Sequence, residues 1–204
     1  MKTNVIVFLT VGVLIFGSVG LAQEGDALVL GEPAFITPAG QSADGLILQM
    51  ICRTNGIRVV YNNLFDADSL QAMMDGKIEM PVSARSAGTI KTLILVPGGS
   101  TKGLGAAKID EERERARVDE LIEFARIKGM PIVVCHMGGA PRRGSLSDLF
   151  NQQAAEAADV ILVVEGGNDD GFFTGIAQQK GIPIHIVDAM TDIGVKLAKL
   201  FGKE

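Results

Sequence analysis

Apolar residues along this chain gather into short runs of four to six, rich in β-branched side chains. Most are followed by a stretch in which apolar positions return every three or four residues. Continuous runs this short predict strands buried on both faces of a parallel sheet, and the spaced stretches predict amphipathic helices laid against it. Ala34-Phe35-Ile36-Thr37 predicts the first strand. Gln41 to Arg53 reads as a helix with Leu46, Ile47, Met50 and Ile51 on one face, stopped at Asn55-Gly56. Arg58 to Tyr61 predicts a second strand, and Asp66 to Asp75 a short helix with Leu70, Met73 and Met74 inward. Lys77 to Ile90 shows no clear period. Thr92 to Val96, Ile132 to Cys135, Val160 to Val164 and Ile184 to Val187 predict four more strands. Helices are expected over Asp110 to Lys128, Ser147 to Ala157, Gly171 to Lys180 and Ala189 to Phe201. In the longest of these, Val118, Leu121, Ile122 and Ala125 make the apolar face and Glu111 and Arg115 are spaced to pair one turn apart. Its charge run is therefore expected on a solvated face.

Six strands alternating with helices predict an α/β fold. The expected form is a three-layer, doubly wound, mainly parallel sheet of about five to six strands, flavodoxin- or Rossmann-like, with right-handed crossovers.

The N-terminus changes the picture of where the protein works. Met1-Lys2 is followed by an almost wholly apolar stretch from Val5 to Val19, and Gly20-Leu21-Ala22 then offers the small residues of a cleavage site. Residues 1–22 are expected to be a signal peptide and 23–204 a single domain, exported to the periplasm or the medium, with no stable membrane span after cleavage. Without Lys2 the chain carries 18 basic and 24 acidic residues, a net of −6. An acidic protein with no basic stripe and no Trp is a poor nucleic-acid binder, so no such partner is expected. Cys52 and Cys135 fall at opposite edges of the expected layers, which favours two separate buried thiols over a bridge and leaves pairing as the alternative.

Three of the strands end in a glycine pair followed by polar residues, and in a parallel sheet those turns share the carboxyl edge, where such folds bind ligands. The turn after Val96 holds Gly98, Gly99, Ser100, Thr101 and Lys102; its spacing matches neither standard phosphate loop, but its backbone N–H groups and Lys102 suit an anion. The turn after Cys135 holds His136, Arg142 and Arg143. His136 is the candidate acid or base, with a structural role weighed beside it. One arginine is expected to pair with Glu165, Asp169 or Asp170 of the next turn, leaving the other for a carboxylate or phosphate. Glu165, Asn168, Asp169 and Asp170 precede a helix, where they either cap it or bind hydroxyl groups. In the first turn Gln41 and Ser42 could hydrogen-bond a ligand, although Ser42 or Asp44 equally reads as a cap. No metal spacing, no zinc-binding helix and no nucleophile elbow occur, so no metal and no cofactor are expected.

The segments Lys91 to Val96, Ser100 to Ala107, Arg142 to Asp148 and Asn168 to Thr174, with Gly40 to Asp44 ahead of them, resemble an uncharacterised bacterial family of exported, single-domain α/β proteins, a domain of unknown function. The resemblance implies the fold and export and supplies no reaction. Asp159 to Asp188 is also similar to Rossmann-like enzymes that bind nucleotides or nucleosides, a pattern generic to α/β folds. The leading functional expectation is a binding protein that holds a small anionic or polar molecule at the carboxyl edge, in the service of a membrane transporter. The alternatives are a hydrolase or transferase acting on a nucleoside, sugar or acyl compound through His136, and a structural or assembly module.

Overall fold

The computed structural model describes residues 28–85 and 88–203, so the expected leader, residues 1–22, lies outside the described residues. Six strands form one sheet: β1 (Ala34–Ala39), β2 (Val59–Tyr61), β3 (Thr92–Pro97), β4 (Ile132–His136), β5 (Val160–Val164) and β6 (Ile184–Val187). They lie in the order β2-β1-β3-β4-β5-β6, and every neighbouring pair is parallel. That is the flavodoxin-type order, extended by one strand. Eight helices connect them: α1 (Asp44–Thr54), α2 (Ala67–Met74), α3 (Val82–Arg85), α4 (Thr101–Ala107), α5 (Glu111–Ile127), α6 (Ser145–Ala157), α7 (Phe172–Lys180) and α8 (Met190–Leu200). No helix among the described residues is long and apolar enough to cross a membrane.

The continuous apolar runs have a direct cause. Alternate residues of each central strand enter two different cores. Phe35, Leu93, Leu95, Val134, Ile161 and Val163 face the layer that also holds Leu70, Leu121, Phe150 and Phe173, from α2, α5, α6 and α7. Ile36, Ile94, Val96, Val133 and Leu162 face Leu48 of α1 and Ile193 and Leu197 of α8. A strand with water on neither side has no polar positions to alternate. Cys52 and Cys135 both belong to the second layer, free and buried. Burial pushes the Cys52 thiol up to about 12.

Two stretches depart from the sequence reading. Residues 77–90 contain the four-residue helix α3, held because Ala84, Met80 and Ile90 are buried in the first core. The turn after β3 is a helix, α4, and not an open glycine loop. Ser100 is its N-cap, the hydroxyl accepting from Gly103 N at 3.0 Å. Gly103 is obligatory here, since a Cβ at that position would lie 1.9 Å from the Gln41 carbonyl oxygen.

Candidate functional site

The strand order reverses between β1 and β3, and their carboxyl ends frame the place where open α/β sheets bind ligands. Here the two turns are sewn together. Gly98 N donates to Ala39 O at 2.9 Å and Ser100 N to Gly40 O at 2.8 Å, and Gln41 and Gly99 form an isolated antiparallel bridge. To reach it the chain takes positive φ at Gly40 (99°) and at Gln41 (60°). The second is uncommon for a residue with a side chain and is held by its surroundings.

Those surroundings are a buried ion pair from α5. Glu114 accepts from Gly40 N at 3.0 Å and from Gln41 Nε2 at 3.1 Å. Arg117 grips Glu114 through Nε and Nη2, each at 2.8 Å. It also donates to Thr37 Oγ1, Phe65 O and Pro38 O. The solvated face expected of this helix is therefore interrupted by two buried charges, and Glu111 and Arg115 do not form an ion pair among the described residues. A signal for this was present. Residues 114, 117, 118 and 121 follow the i, i+3, i+4, i+7 pattern, so Glu114 and Arg117 extend the apolar stripe of Val118 and Leu121. The Gln41 amide is fully committed to this scaffold, since it also exchanges hydrogen bonds with Asn63.

Beside the sewn seam an open groove of ≈ 530 Å³ runs over the turns of β1, β2 and β3. Leu46, Tyr61, Leu64, Ala106 and Ala107 give it apolar walls, and Lys102 is the one cationic residue lining it. Ion pairs of lysine among the described residues involve Lys77 and Lys203, and Lys102 makes none. The groove ends at the N-terminus of α1. No side chain caps that helix, whose N-cap is Ala43, so the expected caps from Ser42 or Asp44 do not form. Of its first-turn N–H groups, Leu46 N already donates to Ala43 O at 3.1 Å, which leaves those of Asp44 and Gly45 without an intrahelical partner. Ser42, 97% buried, lines the same end with a hydroxyl that has no hydrogen-bond partner.

The remaining candidates are committed elsewhere. Neither arginine is free. Arg142 reaches 98 residues back to Asp44, with Nη2 donating to Oδ1 at 2.8 Å and Nε 2.8 Å from Oδ2. Arg143 binds Asp148 and Asp170, donates to Gly167 O at 2.9 Å and lies 4.5 Å over the Phe172 ring. Asp170 is held down at about 2 by Arg143 first and then by the Phe172 N–H. Asn168 Oδ1 accepts from Phe173 N at 2.9 Å and Thr174 N at 3.2 Å, which is capping of α7. Glu165 and Asp169 are exposed. Ser100 and Thr101 are absorbed as cap and first residue of α4.

His136 is fully buried, packed 4.8 Å from the Phe173 ring. Neither ring nitrogen makes a hydrogen bond, and the Asn151 oxygen on α6 is unpartnered as well. Burial, with Arg143 nearby, pulls its pKa down to about 4 in spite of Asn151, Asp44 and Asp148. A neutral, buried imidazole without a hydrogen-bonded carboxylate lacks, in this state, the contacts through which an acid or base would act. Among the described residues no group of His, Cys, Asp and Glu is placed to hold a metal ion.

Fold and edge thus define a three-layer α/β protein of flavodoxin-type order with a candidate groove beside its switch point. The family described as "Domain of unknown function (DUF6305)" matches residues 31–201, and the chain belongs to that family. No curated protein matches it. Among solved structures it is similar to a point mutant of the esterase AlinE4, with a TM-score of 0.31 and 13% identity over 89% of this chain and 86% of that one. "Crystal structure of AlinE4, a SGNH-hydrolase family esterase" matches with a TM-score of 0.30 and 13% identity over 86% of each chain.

Proposed function

We propose that this protein binds a small amphipathic anion, with the charged head at the N-terminus of α1 and the apolar body along the groove. One observation carries the reading: an apolar-walled groove is lined both by Lys102, which makes no ion pair among the described residues, and by Ser42 and Ala43 at the uncapped N-terminus of α1. Helix N-termini favour anions through their free N–H groups and their dipole. Arg142 and Arg143 are not the ligand's direct partners, because each already holds carboxylates. The export reading of residues 1–22 belongs to the same proposal and makes the mature protein, from Gln23, an extracytoplasmic binder of such a ligand.

The test is thermal denaturation of residues 23–204 with acetate, butyrate, hexanoate, octanoate, phosphate and sulfate. Stabilisation is expected to grow with chain length, because each buried methylene adds about 0.8 kcal/mol, and to shrink in Lys102→Ala. A ligand at 100 times its Kd adds roughly 2.7 kcal/mol of stability. No shift with any carboxylate, or an undiminished shift in Lys102→Ala, overturns the reading.

A further inference from the structure

The site just described contains a contradiction. Asp44 is the first residue of α1, and its carboxylate, only 6% exposed, stands at the helix end assigned to the anionic head. A bare carboxylate there would repel another anion. The Asp44 Oδ2 atom and the Ser42 hydroxyl both approach Gly98: a Cβ built on Gly98 would stand 3.3 Å from Ser42 Oγ and 3.9 Å from Asp44 Oδ2. Asp44 therefore cannot be dismissed as a distant surface charge. It is neutralised by Arg142, which crosses from the β4 turn to reach it. The path is built for that side chain. A Cβ on Gly138 would lie 2.1 Å from Arg142 Cγ, so only glycine lets the arginine fold back over its own turn. Arg143, one residue on, is pinned separately by Asp148 and Asp170, and this fixes the turn from which Arg142 extends.

We propose that Arg142 sets the charge preference of the groove: by neutralising Asp44 it makes the N-terminus of α1 receptive to an anion, without itself contacting the ligand. This rests on the groove reading above. It makes the Arg142–Asp44 pair a specificity determinant, and the two partners have opposite effects on affinity.

Isothermal titration of residues 23–204 with octanoate and with octylammonium tests it in four proteins: unaltered, Arg142→Gln, Asp44→Asn and the double variant. Exposing the Asp44 charge should weaken octanoate at least about tenfold, the effect of one like charge within a few ångströms, and should move the preference toward octylammonium. Asp44→Asn should tighten octanoate, because Arg142 then faces the site unneutralised. The double variant should return to within about threefold of the unaltered protein, and all differences should shrink with added salt. A purely structural pair would instead weaken octanoate in both single variants. That result, or equal octanoate affinity in Arg142→Gln and the unaltered protein, overturns the assignment while leaving the groove reading intact. If the unaltered protein binds neither probe, both fall. Should Arg142→Gln fail to fold with Asp44 left unpaired, Asp44→Asn and the double variant still decide the sign.

Discussion

Replacing Glu114 with Gln keeps the volume of the side chain and removes its charge, and the expected cost is large. Both carboxylate oxygens are used: Oε1 takes the Gly40 N–H and one Arg117 nitrogen, and Oε2 takes the Gln41 amide and another. A glutamine presents one acceptor and one donor to those four donors, so at least one N–H is driven against another. The greater loss is that Arg117, 92% buried, keeps its charge and loses its counterion. Breaking a buried ion pair from one side costs about 3–5 kcal/mol. Arg117→Met should cost a similar amount for the mirrored reason. The double variant Glu114→Gln/Arg117→Met leaves no unpaired charge, so its cost should resemble either single change and fall short of their sum by as much, a coupling of about 3–5 kcal/mol. Equilibrium urea unfolding of residues 23–204, with the slope checked for two-state behaviour, measures all three. A loss under about 1 kcal/mol in Glu114→Gln, or simple additivity in the double variant, would refute the claim that this pair anchors the β1 turn.

Other consequences are open to equally direct measurement. His136 is neutral in the fold with a pKa of about 4, against 6.5 when unfolded, so the unfolded chain takes up a proton that the folded one refuses. Stability should therefore fall by about 3 kcal/mol as pH drops from about 6.5 to about 4, and His136→Gln should flatten that part of the profile. The lowered carboxyl groups, Glu32, Asp66, Asp75, Asp148 and Asp170, act mainly further down, near and below the ordinary carboxylate range; an identical pH profile for His136→Gln would contradict the burial argument. Two glycines of α4 should respond in opposite directions in thermal melts. Gly103→Ala forces a methyl onto the Gln41 carbonyl and should destabilise, whereas Gly105→Ala enters open space and should stabilise by about 0.5–1 kcal/mol. Gln41→Gly should relieve the backbone at φ 60° yet lose three amide hydrogen bonds. A net loss of about 1–3 kcal/mol is expected on chemical denaturation, and a gain would mean that the strain outweighs the clamp.

The central strands were readable because burial on both faces leaves them almost uniformly apolar, and all the helices but α3 and α4 because their apolar positions recur at helical spacing or end in a glycine stop. In α1, however, the face read from the sequence was turned, since Leu48 and Cys52 are buried while Leu46 and Met50 are exposed. Helix α4 was hidden by its own glycines. Gly103 and Gly105 lower helix propensity, and what fixes the helix is contact with the β1 turn, remote in sequence. Helix α3 is too short to show a period. The glycine-pair turns marked the carboxyl edge, and the expected pairing of one arginine with the next turn forms between Arg143 and Asp170, but the partner of the other arginine could not be assigned from neighbouring turns. Arg142 passes over the nearby Glu165, Asp169 and Asp170 in favour of Asp44, almost half the chain away. The groove itself was out of reach, since it is walled by Leu46, Tyr61 and Leu64, ordinary apolar residues whose exposure depends on how α1 and the β2 turn splay apart. Glu114 and Arg117 were legible as members of an apolar stripe, and only their charge disguised them.

The seam between the β1 and β3 turns bears on the kinetics of the site. In many sheets of this order the crevice must open or close around its ligand, and that motion limits exchange. Here backbone hydrogen bonds and the Gln41–Gly99 bridge hold the floor shut, and the groove beside it is already open to solvent. A ligand landing there meets a preformed wall. Association should be a single bimolecular step whose observed rate rises linearly with concentration, with no slower phase at saturation, and residence time should follow from the apolar length of the ligand.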